Sequence, residues 1–320
     1  MNRETLEQNQ IPVYFVAVGI AALGGLTAPV AAQALSVWVT PAIAVLMYAM
    51  FLQIPFLELR AGLSNKRFMT ALLTANFVVI PLLVWALTRG LLDHPAILAG
   101  ALLVLLTPCI DYVVVFTHIG KGDSKLMLAA TPVLLLLQLV LLPLYLALML
   151  GASNTVVIAV GPFVEAFLML IVLPLVLAVL TSAGVKRSSW VHCWNQAWAW
   201  MPVPAMAAVL IVVISSQIAY VVQAFDRLWP VVPVYLAFML LAPVAGALVS
   251  KACGLAAAPA RSVVFSSSTR NSLVVLPLAL ALPQEIRGLA AAAVITQTLV
   301  ELVSELVYIR AIPAWVWRRT

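Results

Sequence analysis

The chain has 320 residues, of which 65% are hydrophobic and 9% are charged, and its mean hydropathy is +1.14. Soluble domains average about 25% charged residues, so this composition excludes a water-soluble enzyme, a nucleic-acid-binding domain and a disordered chain. In a membrane protein, Lys and Arg residues reflect the membrane topology first, so the net charge of +6 does not indicate a nucleic-acid partner. Continuous apolar segments of about 20 residues predict an all-α membrane protein and exclude a transmembrane barrel.

Apolar runs bounded by charged or turn residues predict about ten membrane-spanning helices in a single membrane domain that covers residues 1–320. Their approximate ranges are 12–33, 36–57, 68–88, 95–119, 126–150, 155–182, 198–222, 229–250, 260–283 and 288–312. No charged residue separates the first two, so their boundary rests on the weakest signal. The polar N-terminus lacks the pattern of a cleaved signal peptide, and we expect the first helix to be retained.

The basic residues predict the orientation of these helices. Only Arg89, Arg227 and Arg287 fall in segments assigned to the outer side, and Arg270 falls within a span. All other Lys and Arg residues fall in segments that lie inside if the N-terminus is cytoplasmic. The positive-inside rule therefore predicts a multi-pass protein of the cell inner membrane with both termini in the cytoplasm.

Two predicted helices are interrupted near their middle. Predicted helix 4 contains Pro108 in the segment 106–112, and predicted helix 9 contains the polar segment 266–272. These segments lie about half a chain apart, which predicts inverted repeats of about five helices each over residues 12–150 and 155–312. Broken helices of this kind meet at the bilayer midplane of secondary transporters and form binding sites. Alternatively, the proline is a tolerated kink and the serines bond to neighbouring backbone, which leaves the intramembrane charges unexplained.

Ionisable side chains inside a membrane are costly, and they mark either functional sites or internal pairs. Those in the predicted spans are Asp111, Glu165, Arg270, Glu301 and Glu305. Arg270 stays charged and needs a partner, for which Asp111 is the first choice and Glu301 the second. Such a pair either holds two crossing helices together permanently, or it is the place where a substrate anion or a proton competes with the internal partner.

Glu301 and Glu305 share one face of predicted helix 10, because they lie four residues apart. Two neighbouring carboxylates in a low-dielectric medium rarely both carry charge, a property that suits a proton carrier. The alternative for Glu305 is that it reaches water at the cytoplasmic end and pairs with Arg310. We favour the functional interpretation for Glu301 and this alternative for Glu305. Glu165 is more typical of the membrane interface.

Cys109 directly follows the helix-breaking proline. A lone membrane cysteine is most often a small packing residue. In a helix break, however, a thiol is also suited to ligate a soft metal or metalloid, weakly enough for release. Cys193 and Cys253 lie near loops and receive no role. The sequence has no phosphate-binding motif and predicts no cofactor.

Three motifs carry a resemblance to a known family. They are Thr107-Pro108-Cys109 followed by residues 118–123, Thr269-Arg270-Asn271-Ser272 followed by residues 276–280, and residues 298–303 around Glu301. With them, the whole chain resembles the bile acid:sodium symporter superfamily and, within it, the arsenical-resistance permeases that export arsenite. The resemblance implies a panel domain and a core domain, with helices 4 and 9 crossing in the core. It also implies alternating access by proton antiport, a role for Cys109 in metalloid transport, and Glu301 as the family's helix-10 glutamate.

The chain departs from the arsenite exporters at both breaks. Residues 110–112 read Ile-Asp-Tyr where those permeases carry small or apolar residues, and Leu273 stands where many carry a glutamate. One acid is therefore lost from helix 9 and one is gained in helix 4. Sodium-coupled relatives bind sodium through side-chain oxygens of these helices, although Arg270 opposes a cation here. The corresponding oxygens belong to Thr107, Asp111, Ser268 and Asn271.

The leading hypothesis is therefore a secondary transporter that exports arsenite or antimonite in exchange for protons, and not an enzyme. The expected substrate contacts are Cys109, Thr107, Asp111, Arg270, Asn271 and Ser268, with Cys109 on the metalloid. The expected proton-coupling residues are Glu301, Asp111 and Glu305.

Two other hypotheses stay open. In the first, the fold is kept and the protein is a sodium- or proton-coupled carrier of a small organic anion, whose carboxylate Arg270 binds. In the second, the broken helices serve an intramembrane enzyme or a sensor. The enzyme is poorly supported, because no histidine is embedded near Cys109 and Asp111 to act as a base.

Overall fold

The computed structural model describes residues 10–53, 65–110, 112–150, 165, 168–185 and 187–316. Within these residues every regular element is a helix, apart from one isolated antiparallel bridge between Pro108 and Arg270. Six of the helical stretches are long and apolar enough to cross a membrane, and three shorter apolar helices accompany them. The prediction of an all-α membrane protein is confirmed.

The α-helices of the described residues are numbered in chain order. They are α1 (Gln10–Thr27), α2 (Pro29–Ala34), α3 (Val39–Phe51), α4 (Lys66–Thr74), α5 (Ile80–Leu87), α6 (Pro95–Leu105), α7 (Val113–Ile119), α8 (Ser124–Leu150), α9 (Leu173–Gly184), α10 (Ser189–Trp198), α11 (Pro202–Gln223), α12 (Phe225–Leu228), α13 (Val232–Ala252), α14 (Ala257–Ser268), α15 (Ser272–Leu280) and α16 (Gln284–Trp315). Short 3₁₀ turns lie at Leu35–Trp38, Thr88–Leu91 and Trp229–Val231, and π-helical turns lie at Ala75–Val79 and Leu168–Val172.

By its internal contacts the chain divides into two compact units. The first consists of Met1–Gln53 and Ala159–Asp226, and the second consists of Ile54–Ile158 and Arg227–Thr320. Each unit therefore takes one segment from each half of the sequence. The inverted-repeat relation between the two halves stays a prediction.

In the first unit, α1 packs along α11. The two backbones approach closely at Gly25, where an added Cβ would lie 3.1 Å from the Cα of Ser215. The Ser215 hydroxyl donates to the Ala21 carbonyl over 3.2 Å. Small side chains thus allow close helix contact, and the hydroxyl supplies a polar link of the kind that membrane helices use.

The predicted boundary between the first two spans is wrong by several residues. The prediction ends helix 1 at residue 33, whereas α1 ends at Thr27 and the next candidate span runs over Pro29–Phe51. The reason is local, because Pro29 lacks an N–H and therefore fits the first turn of a new helix better than the interior of an old one. Residues 155–164, 166 and 167 of predicted helix 6 (155–182) lie outside the described residues, as do residues 54–57 of predicted helix 2.

Helix α10 was not predicted. The sequence assigns its residues to a loop, because polar residues interrupt the short apolar pattern. Trp190, Trp194 and Trp198 recur at four-residue intervals, and successive rings lie with their centroids 5.6 Å apart. The Trp194 indole N–H donates to the Tyr48 hydroxyl over 3.0 Å within the same unit. A short helix with one tryptophan face is typical of a segment that lies at a membrane interface.

The second unit contains both interrupted helices and the long helix α16. Helix α6 packs directly on α16, and α13 packs on α14. A glycine lies at each contact, since an added Cβ at Gly100 would come within 2.9 Å of the Ala290 Cα and one at Gly246 within 3.1 Å of the Val264 Cα. These close approaches fix where the ends of the broken helices lie.

Candidate functional site

Both predicted helix breaks are present in the second unit. Helix α6 ends at Leu105 and α7 begins at Val113, while α14 ends at Ser268 and α15 begins at Ser272. Proline at position 108 removes a backbone donor, so the first helix does not continue through it. The second helix restarts at Asn271, whose side-chain oxygen accepts from the Val274 N–H over 3.3 Å and caps α15.

The two breaks pair with one another through their backbones. The Cys109 N–H donates to the Thr269 carbonyl over 3.1 Å, and the Asn271 N–H donates to the Thr107 carbonyl over 2.9 Å. Backbone groups that leave a helix inside a membrane must find partners within the protein, and here each broken segment supplies them for the other. The prediction that helices 4 and 9 are broken and cross is confirmed.

Glu301 of α16 joins both broken segments to the long helix. Its Oε2 accepts from the Arg270 backbone N–H over 2.9 Å and from the Gln297 side-chain amide. Its Oε1 accepts from the Tyr112 hydroxyl over 2.5 Å. The same hydroxyl lies 2.9 Å from the Arg270 carbonyl oxygen. The side chain of Glu301 is 1% exposed, so one buried carboxylate connects three separate stretches of chain.

Glu305 lies one turn further along α16 and is also fully buried. Its Oε1 accepts from the Thr269 hydroxyl over 2.6 Å, and its Oε2 has no hydrogen-bond partner among the described residues. The interpretation that Glu305 reaches water and pairs with Arg310 is therefore wrong. The sequence places Glu305 near the cytoplasmic end of predicted helix 10 (288–312), but its side chain turns to Thr269 of the second break and stays buried there.

The guanidinium of Arg270 is fully buried and is held by oxygens of the protein. Its Nη2 donates to Asn76 Oδ1 over 2.9 Å and to the Ser266 carbonyl over 2.6 Å, and its Nη1 donates to the Leu105 carbonyl over 3.4 Å. Its carbon lies 5.6 Å from the centre of the Phe238 ring. Its hydrogen bonds to the described residues thus end on neutral oxygens beside one aromatic face, and the charge of Glu301 acts on it from nearby.

The expected ion pairs of Arg270 have separate outcomes. Glu301 lies close enough for its charge to act on the guanidinium, but its hydrogen bond comes from the backbone N–H of Arg270 over 2.9 Å, so the pairing of the two side chains stays a prediction. Asp111, the first-choice partner, lies outside the described residues. Within the described part of the chain, all guanidinium hydrogen bonds go to amide or carbonyl oxygens.

The remaining predicted site residues take different places. Cys109 is fully buried in the crossover. The Thr107 and Ser268 hydroxyls donate to carbonyls of their own helices, at Leu103 over 2.8 Å and at Val264 over 2.7 Å. Their oxygens keep acceptor capacity but no free proton. Glu165 is exposed, as expected for an interfacial residue.

Several buried polar atoms at the crossover have no hydrogen-bond partner among the described residues. They are Arg270 Nε, Asn271 Nδ2, Ser272 Oγ, Gln297 Oε1 and Glu305 Oε2. An unsatisfied buried polar group costs about 1–3 kcal/mol, so a cluster of such groups is uncommon in a folded protein. They give this region unused capacity to bind a polar ligand. The described residues include no group of three or more His, Cys, Asp or Glu side chains suited to a metal ion.

The sequence interpretation missed four residues of this site: Asn76, Tyr112, Phe238 and Gln297. Asn76 carries the best available signal, because a single amide in the apolar run of predicted helix 3 is costly in lipid. It lies on the π-helical turn Ala75–Val79, and its Nδ2 donates to Ser266 Oγ over 3.0 Å. Turns of this type occur often at functional sites.

Residues 40–224 match the sequence model of the Sodium Bile acid symporter family. The chain belongs to this family. The match covers more than half of the chain and includes the break at residues 106–112, whereas the break at residues 269–271 lies beyond it. A search of curated proteins finds no significant match. As a member of the sodium bile acid symporter family, the protein is a multi-pass membrane transporter.

The Tyr112 hydroxyl provides a first test of this geometry. Replacing Tyr112 with phenylalanine removes a donor to the buried carboxylate of Glu301, and we expect a loss of about 1–3 kcal/mol in unfolding free energy. Thermal unfolding of the purified protein in detergent measures the effect. Tyr220 is exposed, so Tyr220→Phe is the matched control. Equal unfolding midpoints for the two variants would show that the hydroxyl bond contributes nothing.

Proposed function

We propose that the protein is a secondary transporter of the cell inner membrane that exports arsenite or antimonite in exchange for protons by alternating access. In this proposal Cys109 contacts the metalloid, with Thr107, Asp111, Arg270, Asn271 and Ser268 around it. Both termini lie in the cytoplasm, as the distribution of basic residues indicates. Membership of the symporter family supports transport in general, and the metalloid substrate is our own assignment.

The observation that carries the proposal is that Cys109 and two buried acids are all bonded to residues 269–270 of the second helix break. Its backbone N–H is bonded to Thr269, whose hydroxyl in turn bonds to Glu305. Glu301 contacts the next residue of the same break, Arg270, through its backbone. A soft ligand and two carboxylates thus belong to one joint between the broken helices. This arrangement supports coupling between metalloid binding at the thiol and proton uptake at Glu301, Glu305 and Asp111.

A second candidate is favoured by the first turn of α15. Asn271 Nδ2 and the Ser272 hydroxyl are buried there without hydrogen-bond partners among the described residues. Helix N-termini attract anions through their free N–H groups and dipole. A sodium- or proton-coupled carrier of a small organic anion would place the carboxylate at this turn. The guanidinium of Arg270 is already engaged with Asn76 and two carbonyls, so it is less suited to that role than the sequence suggested.

The decisive variant is Cys109→Ser. In a host that lacks arsenite pumps, we expect the wild-type protein to confer resistance to arsenite and antimonite and the variant to lose it, because a hydroxyl is a poor ligand for a soft metalloid. Cys193→Ser is the matched control, since Cys193 is exposed, and it should keep full resistance. Growth on graded arsenite and accumulation of the metalloid in cells measure the effect.

Two results would contradict the metalloid assignment. One is the absence of resistance although the wild-type protein is present in the membrane. The other is full activity of Cys109→Ser, which would favour the organic anion. Uptake into proteoliposomes of arsenite, antimonite and small carboxylates, each with and without pH and sodium gradients, then identifies the substrate class and the coupling ion.

A further inference from the structure

The environment of the Arg270 guanidinium resembles that of a bound cation. It is 0% exposed, and its hydrogen bonds end on one amide oxygen and two backbone carbonyl oxygens, at distances of 2.6 to 3.4 Å. Hard cations in proteins take oxygen ligands of this kind. The face of the Phe238 ring adds a further attraction for positive charge.

Both carbonyls belong to the ends of broken helices. Leu105 is the last residue of α6, and Ser266 lies in the last turn of α14. The last carbonyls of a helix lack partners within the helix, and they carry the negative end of its dipole. In secondary transporters, such half-helix ends coordinate the coupling cation at the midplane. Here the carbonyls of Leu105 and Ser266 accept hydrogen bonds from the guanidinium of Arg270, a positive charge that belongs to the chain itself.

We propose that Arg270 is a tethered cation, which occupies the place where this fold would otherwise hold a free monovalent cation. Asn76, Leu105 and Ser266 supply its oxygen ligands. Sodium, the ion in the family's name, is thereby excluded from this place, and proton coupling at the acids of the crossover needs no sodium bound there. The consequence for coupling rests on the proposed transport function, whereas the occupancy of the site does not.

The first experiment uses the wild-type protein alone. Thermal unfolding of the purified protein is followed in sodium chloride and in choline chloride of the same ionic strength. A site already filled by the guanidinium gains nothing from sodium, and we expect equal midpoints in the two salts. A higher midpoint in sodium would overturn the proposal, because ligands that bind the folded state raise its stability.

The second experiment empties the site with Arg270→Ala. In choline chloride the variant should unfold at a temperature several degrees below the wild type, since the two helix ends and Asn76 lose their cation. Sodium chloride, or guanidinium at millimolar concentration, should restore part of this loss. Arg89→Ala is the matched control, because Arg89 is exposed and donates to a carbonyl of its own helical turn. It should show neither the loss nor the rescue.

Failure to rescue Arg270→Ala with any of these cations would overturn the proposal. If this variant cannot be purified, Arg270→Gln, which also lacks the charge, takes its place with the same expectations. The thermal readout does not depend on transport. A higher unfolding midpoint of the wild type in sodium chloride would therefore overturn the tethered-cation proposal and leave the proposed transport function unaffected. Absence of transport of every substrate would overturn the proposed function and leave the tethered-cation proposal unaffected.

Discussion

Replacing Glu301 with glutamine is expected to abolish transport driven by a pH gradient and to leave the protein folded. Glutamine has nearly the same shape and keeps one acceptor oxygen among the donors around Glu301, but it cannot take up or release a proton. The loss should reach about 100-fold, the scale on which a positioned proton-transferring group matters in catalysis. The initial rate of uptake into proteoliposomes, as a function of the imposed pH difference, measures it.

A matched control for Glu301→Gln lies on the same helix. Glu285 is exposed at the start of α16, and Glu285→Gln should transport like the wild type. Exchange of labelled for unlabelled substrate without a gradient should persist in Glu301→Gln, because that process needs no net proton transfer. If Glu301→Gln keeps gradient-driven uptake, the coupling proton belongs to Glu305 or Asp111 instead.

A single methyl group at Gly100 is expected to destabilise the second unit. Its Cβ would lie 2.9 Å from the Cα and 3.0 Å from the carbonyl carbon of Ala290. These are backbone atoms of α16 and do not turn aside as a flexible side chain would. Forcing extra volume into a packed interior costs about 1–3 kcal/mol, and Gly100→Ala should unfold at a clearly lower temperature. Thermal unfolding in detergent measures the change.

The effect of Gly100→Ala should reach the site as well as the fold. Helix α6 ends at Leu105, a ligand of the guanidinium, and α16 carries Glu301. Separation of these helices displaces both, so transport should fall together with stability. Gly90 has no heavy atom within 4 Å of an added Cβ, and Gly90→Ala is the control that should behave as wild type. Equal midpoints for the two variants would show that the helices accommodate the methyl group.

The sequence was a good guide to the two helix breaks. Proline or a run of hydroxyl side chains in an apolar span is costly unless it is paired inside the protein, so position and composition together predicted the crossover. The resemblance to the bile acid symporter superfamily is confirmed by the family match. Its arsenical-resistance branch stays a proposal, because substrate choice depends on a few contacts and not on the fold.

The partners of the charged groups could not be read from the sequence. Periodicity places Glu301 and Glu305 on one face, but it does not tell which of the two lies opposite Thr269 or Arg270. Asn76 became a ligand of the guanidinium through a π-helical turn, whose five-residue spacing changes the direction of a side chain without changing composition. A hydropathy average taken over the length of a membrane span resolves neither a break at a single residue nor a short polar helix. The sequence interpretation therefore missed the boundary at Pro29 and the helix α10.

The hydrogen bonds around Glu301 all point in one direction, which gives protonation a definite consequence. The Arg270 N–H can only donate, but a protonated carboxyl that must itself donate has two groups able to accept: the Tyr112 hydroxyl, and the Gln297 amide once it turns its Oε1, which has no partner among the described residues, toward the acid. Of these two, the Tyr112 hydroxyl also reaches the other break, since it lies 2.5 Å from Glu301 and 2.9 Å from the Arg270 carbonyl. If a neutral Glu301 donates to this hydroxyl, the single proton of Tyr112 is free to turn to that carbonyl. Under the proposed proton coupling, uptake of a proton by Glu301 would thus move the Tyr112 hydrogen bond from the acid to the backbone of the second break, so protonation would change how the broken helices are joined.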